Sequence, residues 1–310
     1  MKKIHFILIA LMLNSLSWAQ TKKTVSLEDV WLNYTFYPES VYGVNWMKDG
    51  RYYSSQNDRF IIKYDIVSGK AVDTLYGKAG APENYIEFSS YALSPQEDKI
   101  LLAVEEERIY RRSSKAYFYI YDIAKRNIKR LVEGEKQSYA SFSPDGNKIA
   151  FVRNNNIFVT DITTQETRQI TETGEVNKVI HGSADWVYEE EFSFAQAFFW
   201  SPDSKKIAYQ SFYEQPVDQF FLQYWLGAET SYPYNYEYKY PKAGEENSTV
   251  TVSIYNLEQA KTTALDLGRE RDIYIPRINW TEDPNILSVR RMNRLQNQLD
   301  ILHANLQNNQ

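Results

Sequence analysis

Hydrophobic residues along this chain lie in short runs, and one arrangement of run and turn recurs. An aromatic or apolar residue precedes Ser-Pro, an acidic residue follows, and a run of Ile, Leu, Ala and aromatic residues comes next. The pattern occurs as ALSPQEDKILLAV, SFSPDGNKIAFV and FWSPDSKKIAYQ at 92–104, 141–152 and 199–210, with looser copies at 45–55 and 279–289. Because proline presets φ in a tight turn and Asp and Gly suit the following positions, each copy predicts a strand, a turn and a strand.

A second pattern follows most copies of the first: an alternating strand ends at Asp or Asn, and a polar turn leads into another short strand. It occurs as IIKYDIVSGKAV, FYIYDIAKRNIKRL, IFVTDITTQETRQI and VSIYNLEQAKTTAL, at 61–72, 118–131, 157–170 and 252–265. Two hairpins per unit make a four-stranded antiparallel sheet. The Ser-Pro pairs begin at Ser94, Ser143 and Ser201, so successive units lie 49 and 58 residues apart, a period typical of propeller blades.

The sequence therefore predicts an all-β fold, a β-propeller of four-stranded antiparallel blades. A β-sandwich also contains many short strands, but it does not require the same two-part unit at a regular interval. Five units begin near residues 45, 93, 142, 200 and 279. We expect an incomplete propeller of about five to six blades. The last residues, NQLDILHANLQNNQ, predict a strand and the turn after it, and we expect the chain to be part of a longer polypeptide.

The interval between the last two unit starts is long, 79 residues, and indicates an insertion at about 219–246. Six tyrosines and one tryptophan lie there, in a segment for which we predict no regular hairpin. Such an aromatic segment is typical of an arm that packs on another surface. A long loop folded back on its own blade is the alternative.

The amino-terminal residues 1–19 have the form of a secretory leader. Lys2 and Lys3 precede an apolar core, and a small-x-small boundary predicts cleavage after Ala19. The propeller is then expected to occupy residues 20–310, exported to the periplasm or outside the cell. No other segment approaches the length of apolar sequence that a membrane span needs, so we expect no membrane partner.

Composition and motifs exclude several classes of function. The chain has no cysteine, which excludes disulfides, thiolate metal sites and a cysteine nucleophile. A net charge of −5 and a pI near 5.5 argue against nucleic acid as a partner. There is no Gly-x-Ser-x-Gly motif, Walker loop, dinucleotide fingerprint or recognisable metal-ligand spacing. His181 is expected to be structural or solvent-facing. We predict no catalytic residue, metal or cofactor in these residues.

One segment departs from the blade pattern and is unusual in itself. In SADWVYEEEFSF, residues 183–194, three glutamates lie between large apolar side chains. Burying carboxylates is costly, and a run of three is ordinarily a solvated helix face. The apolar flanks add only modest support for a site, and without further signals the solvated face remains the better interpretation.

Several phrases together resemble one known family. DWVYEEEF at 185–192, WSPDSKKIAY at 200–209, YPKAG at 240–244 and RRSSKAYFYIYDI at 111–123 are similar to the amino-terminal propeller of dipeptidyl peptidase IV, a member of the prolyl oligopeptidase family of serine peptidases. In that family an eight-bladed propeller caps an α/β-hydrolase domain, which carries the catalytic Ser, Asp and His. The resemblance implies that this chain lacks the catalytic residues and is inactive alone. It also implies a homodimer formed through the 219–246 arm.

The resemblance also implies site residues. Glu190 and Glu191, on a short helical insert, are expected to bind the free amino terminus of a peptide. Arg111 is expected to hold the carbonyl of the second substrate residue, with Arg112 as the alternative if the register slips by one. On sequence alone, a solvent-facing strand end remains an equal interpretation of Arg111.

The aromatic neighbours and the first glutamate are given other roles. Tyr188 and Trp186 are expected to wall the pocket, and Glu189 to face away from it. An α-ammonium has three donors and a full charge, which two carboxylates can accept.

Such a clamp fixes the distance from the amino terminus to the scissile bond. The implied function is therefore an exopeptidase that releases dipeptides, in the family after a penultimate proline or alanine. Two alternatives remain open: a stand-alone exported propeller that binds peptides or scaffolds a partner, and a tripeptidyl peptidase.

Overall fold

The computed structural model describes residues 24–38, 43–57, 59–77, 85–225 and 231–307. The expected leader, residues 1–19, lies outside the described residues. The chain forms two units, Met1–Val44 and Asn45–Gln310. In the first, helix α1 (Leu27–Trp31) begins after Ser26, whose hydroxyl accepts a hydrogen bond from the backbone N–H of Asp29. Among the described residues, no helix has the length and apolar character needed to cross a membrane.

The second unit begins with three antiparallel sheets of four strands each. The first contains β1 (Asn45–Trp46), β2 (Tyr52–Asn57), β3 (Phe60–Asp65) and β4 (Ala71–Tyr76). The second contains β5 (Ser90–Leu93), β6 (Lys99–Arg108), β7 (Ser114–Asp122) and β8 (Asn127–Arg130). The third contains β9 (Ser138–Phe142), β10 (Lys148–Arg153), β11 (Asn156–Asp161) and β12 (Thr167–Gln169). In each sheet the strands are neighbours in chain order, as two consecutive hairpins require.

The remaining strands form a modified fourth sheet, a separate hairpin and a fifth sheet. The fourth sheet begins with β13 (Val179–His181), β14 (Phe198–Trp200) and β15 (Lys206–Tyr213), and helix α2 (Trp186–Glu191) lies between β13 and β14 in the chain. The hairpin of β16 (Gln219–Tyr224) and β17 (Tyr234–Lys239) follows, and β18 (Thr249–Asn256) and β19 (Lys261–Ala264) complete the fourth sheet. The fifth contains β20 (Ile273–Trp280), β21 (Ile286–Asn293) and β22 (Leu299–Asn305).

A hydrophobic core lies between each pair of consecutive sheets. Ile100 and Leu102 of β6 pack with Ile61 of the first sheet, whereas the intervening Leu101 packs with Ile149 of the third. Alternate side chains of a strand point to opposite faces, so a central strand covered on both sides must be apolar at consecutive positions. This stacking confirms the predicted propeller of four-stranded antiparallel blades.

The Ser-Pro turns are closed by the serine as well as by the proline. In the third sheet the Ser143 hydroxyl accepts from the backbone N–H of Lys148 at 2.9 Å and donates to the Asp145 carboxylate at 2.5 Å. Ser201 makes the equivalent pair of bonds in the fourth sheet. The recurring serine and acid are therefore a turn clasp, which explains why the two residue types recur together.

The 219–246 insertion differs from the sequence-based expectation. Its described part is a regular hairpin, in which β16 and β17 pair from Gln219 with Lys239 to Tyr224 with Tyr234. The prediction that no regular hairpin occurs here was wrong. The signal was the alternation of tyrosine with other residues in YNYEYKY, 234–240, which is the period of a strand.

Candidate functional site

The glutamate run lies where the fourth sheet interrupts its own first strand. β13 pairs with residues 211–213 of β15, and β14 pairs with residues 207–209 of the same strand. Residues 182–197 leave the sheet between these two halves, and their ends are joined by a hydrogen bond of 2.9 Å from the Ala197 N–H to the Gly182 carbonyl. The segment that departs from the blade pattern is thus an insertion between the two halves of a divided strand.

The point where the chain leaves β13 requires glycine. Gly182 has a φ of +74°, and a Cβ at this position would lie 2.7 Å from Cγ1 of Ile157 in the neighbouring blade. Both the left-handed backbone and the close approach exclude a larger residue without displacement of Ile157.

Helix α2 is short, and capping compensates for its few internal hydrogen bonds. The Asp185 side chain accepts from the backbone N–H of Tyr188 at 2.9 Å, which satisfies a donor that the helix leaves unpaired. Asp185 is buried, and burial raises the pKa of its carboxyl against the opposing effect of this hydrogen bond.

Tyr188 fixes the helix to the core. Its side chain is 1 % exposed, its hydroxyl accepts from the backbone N–H of Ile275 at 2.9 Å, and its ring contacts Phe212 and Phe192. The expectation that Tyr188 walls a binding pocket is corrected by this position, because a side chain inside the core cannot contact a ligand. Trp186 is half-buried and packs on Tyr240, just beyond β17, with ring centroids 4.3 Å apart.

Glu190 and the predicted arginine are brought together from different blades. Arg111 lies in the connection between β6 and β7, and its Nε is 3.3 Å from Oε2 of Glu190. The Arg111 side chain is 70 % exposed and that of Glu190 is 18 % exposed, so the pair lies at the surface. Arg112 instead donates to the Ser193 hydroxyl at 3.1 Å. In this structure the arginine beside Glu190 is therefore Arg111.

The other two glutamates of the run have different surroundings. Glu191, at the end of α2, is exposed. Glu189 is 1 % exposed, and its Oε1 accepts hydrogen bonds from the backbone N–H groups of Arg112 and Ser113, the latter at 2.8 Å. Glu189 thus points into the protein rather than into solvent, and its facing away from a peptide site stays a prediction.

A residue that sequence reasoning missed supports the end of the helix. Arg277 of β20 donates to the Phe192 carbonyl at 2.7 Å, and its guanidinium lies 5.1 Å from the ring centre of Phe194. A cation is favourable at a helix carboxyl terminus, where carbonyl groups lack partners. Nothing in IYIPRINW marks this arginine, since its partner lies 85 residues earlier in the chain.

A cavity of about 370 Å³ lies beside the start of the helix, and its lining includes Asp185, Trp186, Glu214 and Lys239. Glu214 is 6 % exposed. Burial, with a smaller contribution from the charge of Asp185, raises the pKa of Glu214 to about 7, while the charge of Lys239 opposes the shift.

His181 lies in the sheet beside this region and is a structural residue. Its ring nitrogens contact the hydroxyls of Thr173, at 2.9 Å, and Ser211, at 2.7 Å. Burial lowers the pKa of its imidazole to about 4, so the ring is neutral at pH 7. In the part of the chain that the structure describes, no cluster of three histidine, aspartate or glutamate side chains could hold a metal.

Comparisons with known proteins agree with this architecture. A family model described as the dipeptidyl peptidase IV (DPP IV) N-terminal region matches residues 94–310. Dipeptidyl peptidase 4 of Trichophyton rubrum is 30% identical over 273 residues, which cover 85% of this chain and 34% of that protein. Prolyl endopeptidase FAP of Mus musculus is 29% identical over 285 residues, 89% of this chain and 36% of that protein.

A solved structure shows the same fold over nearly the whole chain. The crystal structure of Porphyromonas gingivalis dipeptidyl peptidase 4 matches with a TM-score of 0.86 and 37% sequence identity, over 93% of this chain and 41% of that chain. The chain thus spans about a third of the length of the curated relatives named above.

Proposed function

Because the chain belongs to the family of dipeptidyl peptidase IV N-terminal regions, we propose that it forms the substrate-recognition propeller of an exported dipeptidyl peptidase IV-like serine exopeptidase. The complete enzyme removes dipeptides from the free amino end of peptides, after a penultimate proline or alanine. Nucleophilic catalysis belongs to an α/β-hydrolase domain outside these residues. In this proposal the 219–246 arm contacts the second copy in a homodimer.

The observation that carries the proposal is the pairing of Arg111 with Glu190 at 3.3 Å. It places a cation and an anion, from separate blades, side by side at the surface. An incoming peptide presents two complementary groups: a charged ammonium, which needs carboxylate acceptors, and a neutral carbonyl oxygen, which needs a hydrogen-bond donor. Glu190 and Glu191 take the ammonium, and the guanidinium takes the carbonyl oxygen of the second residue.

The surroundings suit an exchange of partners. A carboxylate has about four acceptor positions, so Glu190 can accept from an ammonium without losing every bond to Arg111. The guanidinium has five N–H donors, and its exposed side chain can turn to a substrate. The fixed separation of these groups selects the residue after which the peptide is cut.

We expect Glu190→Gln in the full-length protein to lower kcat/KM for Gly-Pro substrates by about 10- to 100-fold, because a charge-assisted bond to the ammonium is lost. N-acetylated Gly-Pro substrates lack that charge, so their already slow cleavage should change little. Glu258→Gln is a matched control: it also breaks an ion pair on the same blade, with Lys205 at 2.8 Å, and should leave both rates unchanged.

Three outcomes would contradict the proposal. Wild-type kinetics in Glu190→Gln would show that Glu190 does not bind the substrate ammonium. A preference of the full-length protein for Ala-Ala-Pro substrates would indicate a tripeptidyl peptidase. Binding of Gly-Pro peptides without cleavage would indicate a propeller that only binds peptides.

A further inference from the structure

Glu189, the first residue of the run, is the buried carboxylate to which the proposed function assigns no task. One of its oxygens, Oε1, accepts two successive backbone N–H groups, those of Arg112 and Ser113. Within the described residues its other oxygen, Oε2, is buried and has no hydrogen-bond partner. Burial raises the pKa of the nearby Tyr139, and the negative charge of Glu189 adds to that shift.

The free-energy cost of burying this carboxylate indicates that its charge has a function. Enclosing a carboxylate that is only partly hydrogen-bonded is expensive, and an apolar or amide side chain would fill the same space at a lower cost. A carboxylate, however, makes the stronger bonds to backbone N–H groups. The charge of Glu189 therefore strengthens its hydrogen bonds to the tip between β6 and β7, residues 109–113.

Side chains of the tip also make contacts: Arg111 pairs with Glu190, Arg112 donates to the Ser193 hydroxyl, and the Tyr110 ring lies 6.0 Å from that of Tyr238. Within the tip, the Tyr110 N–H donates to the Ser113 hydroxyl at 3.0 Å, and the Ile109 N–H donates to the Ser113 carbonyl at 2.8 Å. These bonds shape the tip but do not connect it to helix α2. The bonds from Glu189 connect the backbone of the tip to helix α2, directly after the exposed Arg111.

We propose that Glu189 is a positioning residue: its buried carboxylate fastens the tip to helix α2 so that the Arg111 guanidinium stands beside Glu190 and meets the substrate carbonyl. The first glutamate thus acts on the peptide through the arginine. This inference rests on the proposed function, in which Arg111 binds that carbonyl.

The test is a double-mutant cycle in the full-length protein, with Gly-Pro substrates. We expect Glu189→Gln to raise KM about tenfold with little change in kcat, because one charged acceptor is replaced by a neutral one. Arg111→Ala should raise KM by at least as much. If Glu189 acts through Arg111, the double variant should be no worse than Arg111→Ala alone.

A merely structural role predicts different results. The losses would then multiply in the double variant, and Glu189→Gln would lower kcat as well. Asp161→Asn is a matched control, since Oδ1 of Asp161 also accepts two successive backbone N–H groups, in the turn after β11. It should leave KM unchanged, and an equal increase in this variant would overturn the proposal.

The cycle also separates this inference from the proposed function. Unchanged kinetics in Arg111→Ala would mean that the arginine does not bind substrate, and both would fail. A loss in Arg111→Ala with wild-type kinetics in Glu189→Gln would overturn the positioning role alone.

If Glu189→Gln does not fold, Glu189→Asp carries the test, because it keeps the charge but shortens the reach of the carboxylate to the backbone N–H groups of Arg112 and Ser113. A KM increase that vanishes in the Arg111→Ala background would support the proposal, and an unchanged KM would overturn it.

Discussion

Glu214 should make the stability of this domain depend on pH near neutrality. Its carboxyl is buried and lines the cavity beside the start of α2, and its pKa is raised to about 7 from the usual 4.5, first by burial and then by the charge of Asp185. The perturbation is Glu214→Gln, which keeps the size of the side chain and removes the titration.

The sign and magnitude follow from the two pKa values. Below pH 4.5 the carboxyl is protonated in both the folded and the unfolded protein. Between pH 4.5 and about 7 the unfolded chain releases the proton and the folded chain keeps it, so the free energy of unfolding falls as the pH rises. The whole shift corresponds to at most about 3 kcal/mol, lost by pH 8.

The assay is thermal unfolding of wild-type and Glu214→Gln full-length protein at pH 5, 6, 7 and 8. Relative to wild type, the variant should gain stability as the pH rises and level off above pH 7. In Lys239→Met the pH range over which stability falls should extend to higher pH, because the charge of Lys239 lowers the pKa of Glu214 in the wild type. A difference between wild type and Glu214→Gln that is flat, or that falls with pH, would refute the reasoning.

Two further predictions concern the divided strand. Because burial lowers the pKa of His181 to about 4, the stability of the wild type relative to His181→Gln should fall as the pH falls from 6.5 to 4, by up to about 3 kcal/mol. Thermal unfolding of both proteins over this range checks the prediction, and a difference that stays constant would contradict it. Gly182→Ala should cost about 1–3 kcal/mol or more, because its Cβ meets Ile157. Gly50→Ala, at a φ of +65° in open space, should cost less in the same unfolding experiment, and equal losses would mean that the contact with Ile157 is unimportant.

The blades could be predicted because their determinants are local. Ser143 and Asp145 close a turn within six residues, and the apolar runs after such turns have the length of strands. The period of these units then indicates the stacking. Alternating tyrosines at 234–240 were equally local, and the hairpin could have been found from them.

The site could be predicted only in part, because its contacts are distant in sequence. Glu189 meets the tip 76 residues earlier, and Tyr188 meets Ile275 87 residues later. No pattern within the run shows which glutamate is buried or that Tyr188 belongs to the core. Resemblance to a family assigned Arg111 and Glu190 to one site, but the contact between them was not predicted.

The aromatic flanks that make the glutamate run unusual also determine the direction of each glutamate. Tyr188 and Phe192 are four residues apart, so they lie on one face of α2, and their rings contact each other with centroids 5.1 Å apart. Successive helical residues turn by about 100°. With the aromatic face fixed on the core, Glu189 lies at its margin, where it reaches the tip. Glu190 lies about 160–200° from that face, toward Arg111, and Glu191 lies at the opposite margin, at the end of the helix, where its side chain is exposed. One helix orientation thus directs Glu190 away from the core and places Glu189 and Glu191 at the two margins, where the tip covers Glu189, and a substitution at Tyr188 should disturb all three at once.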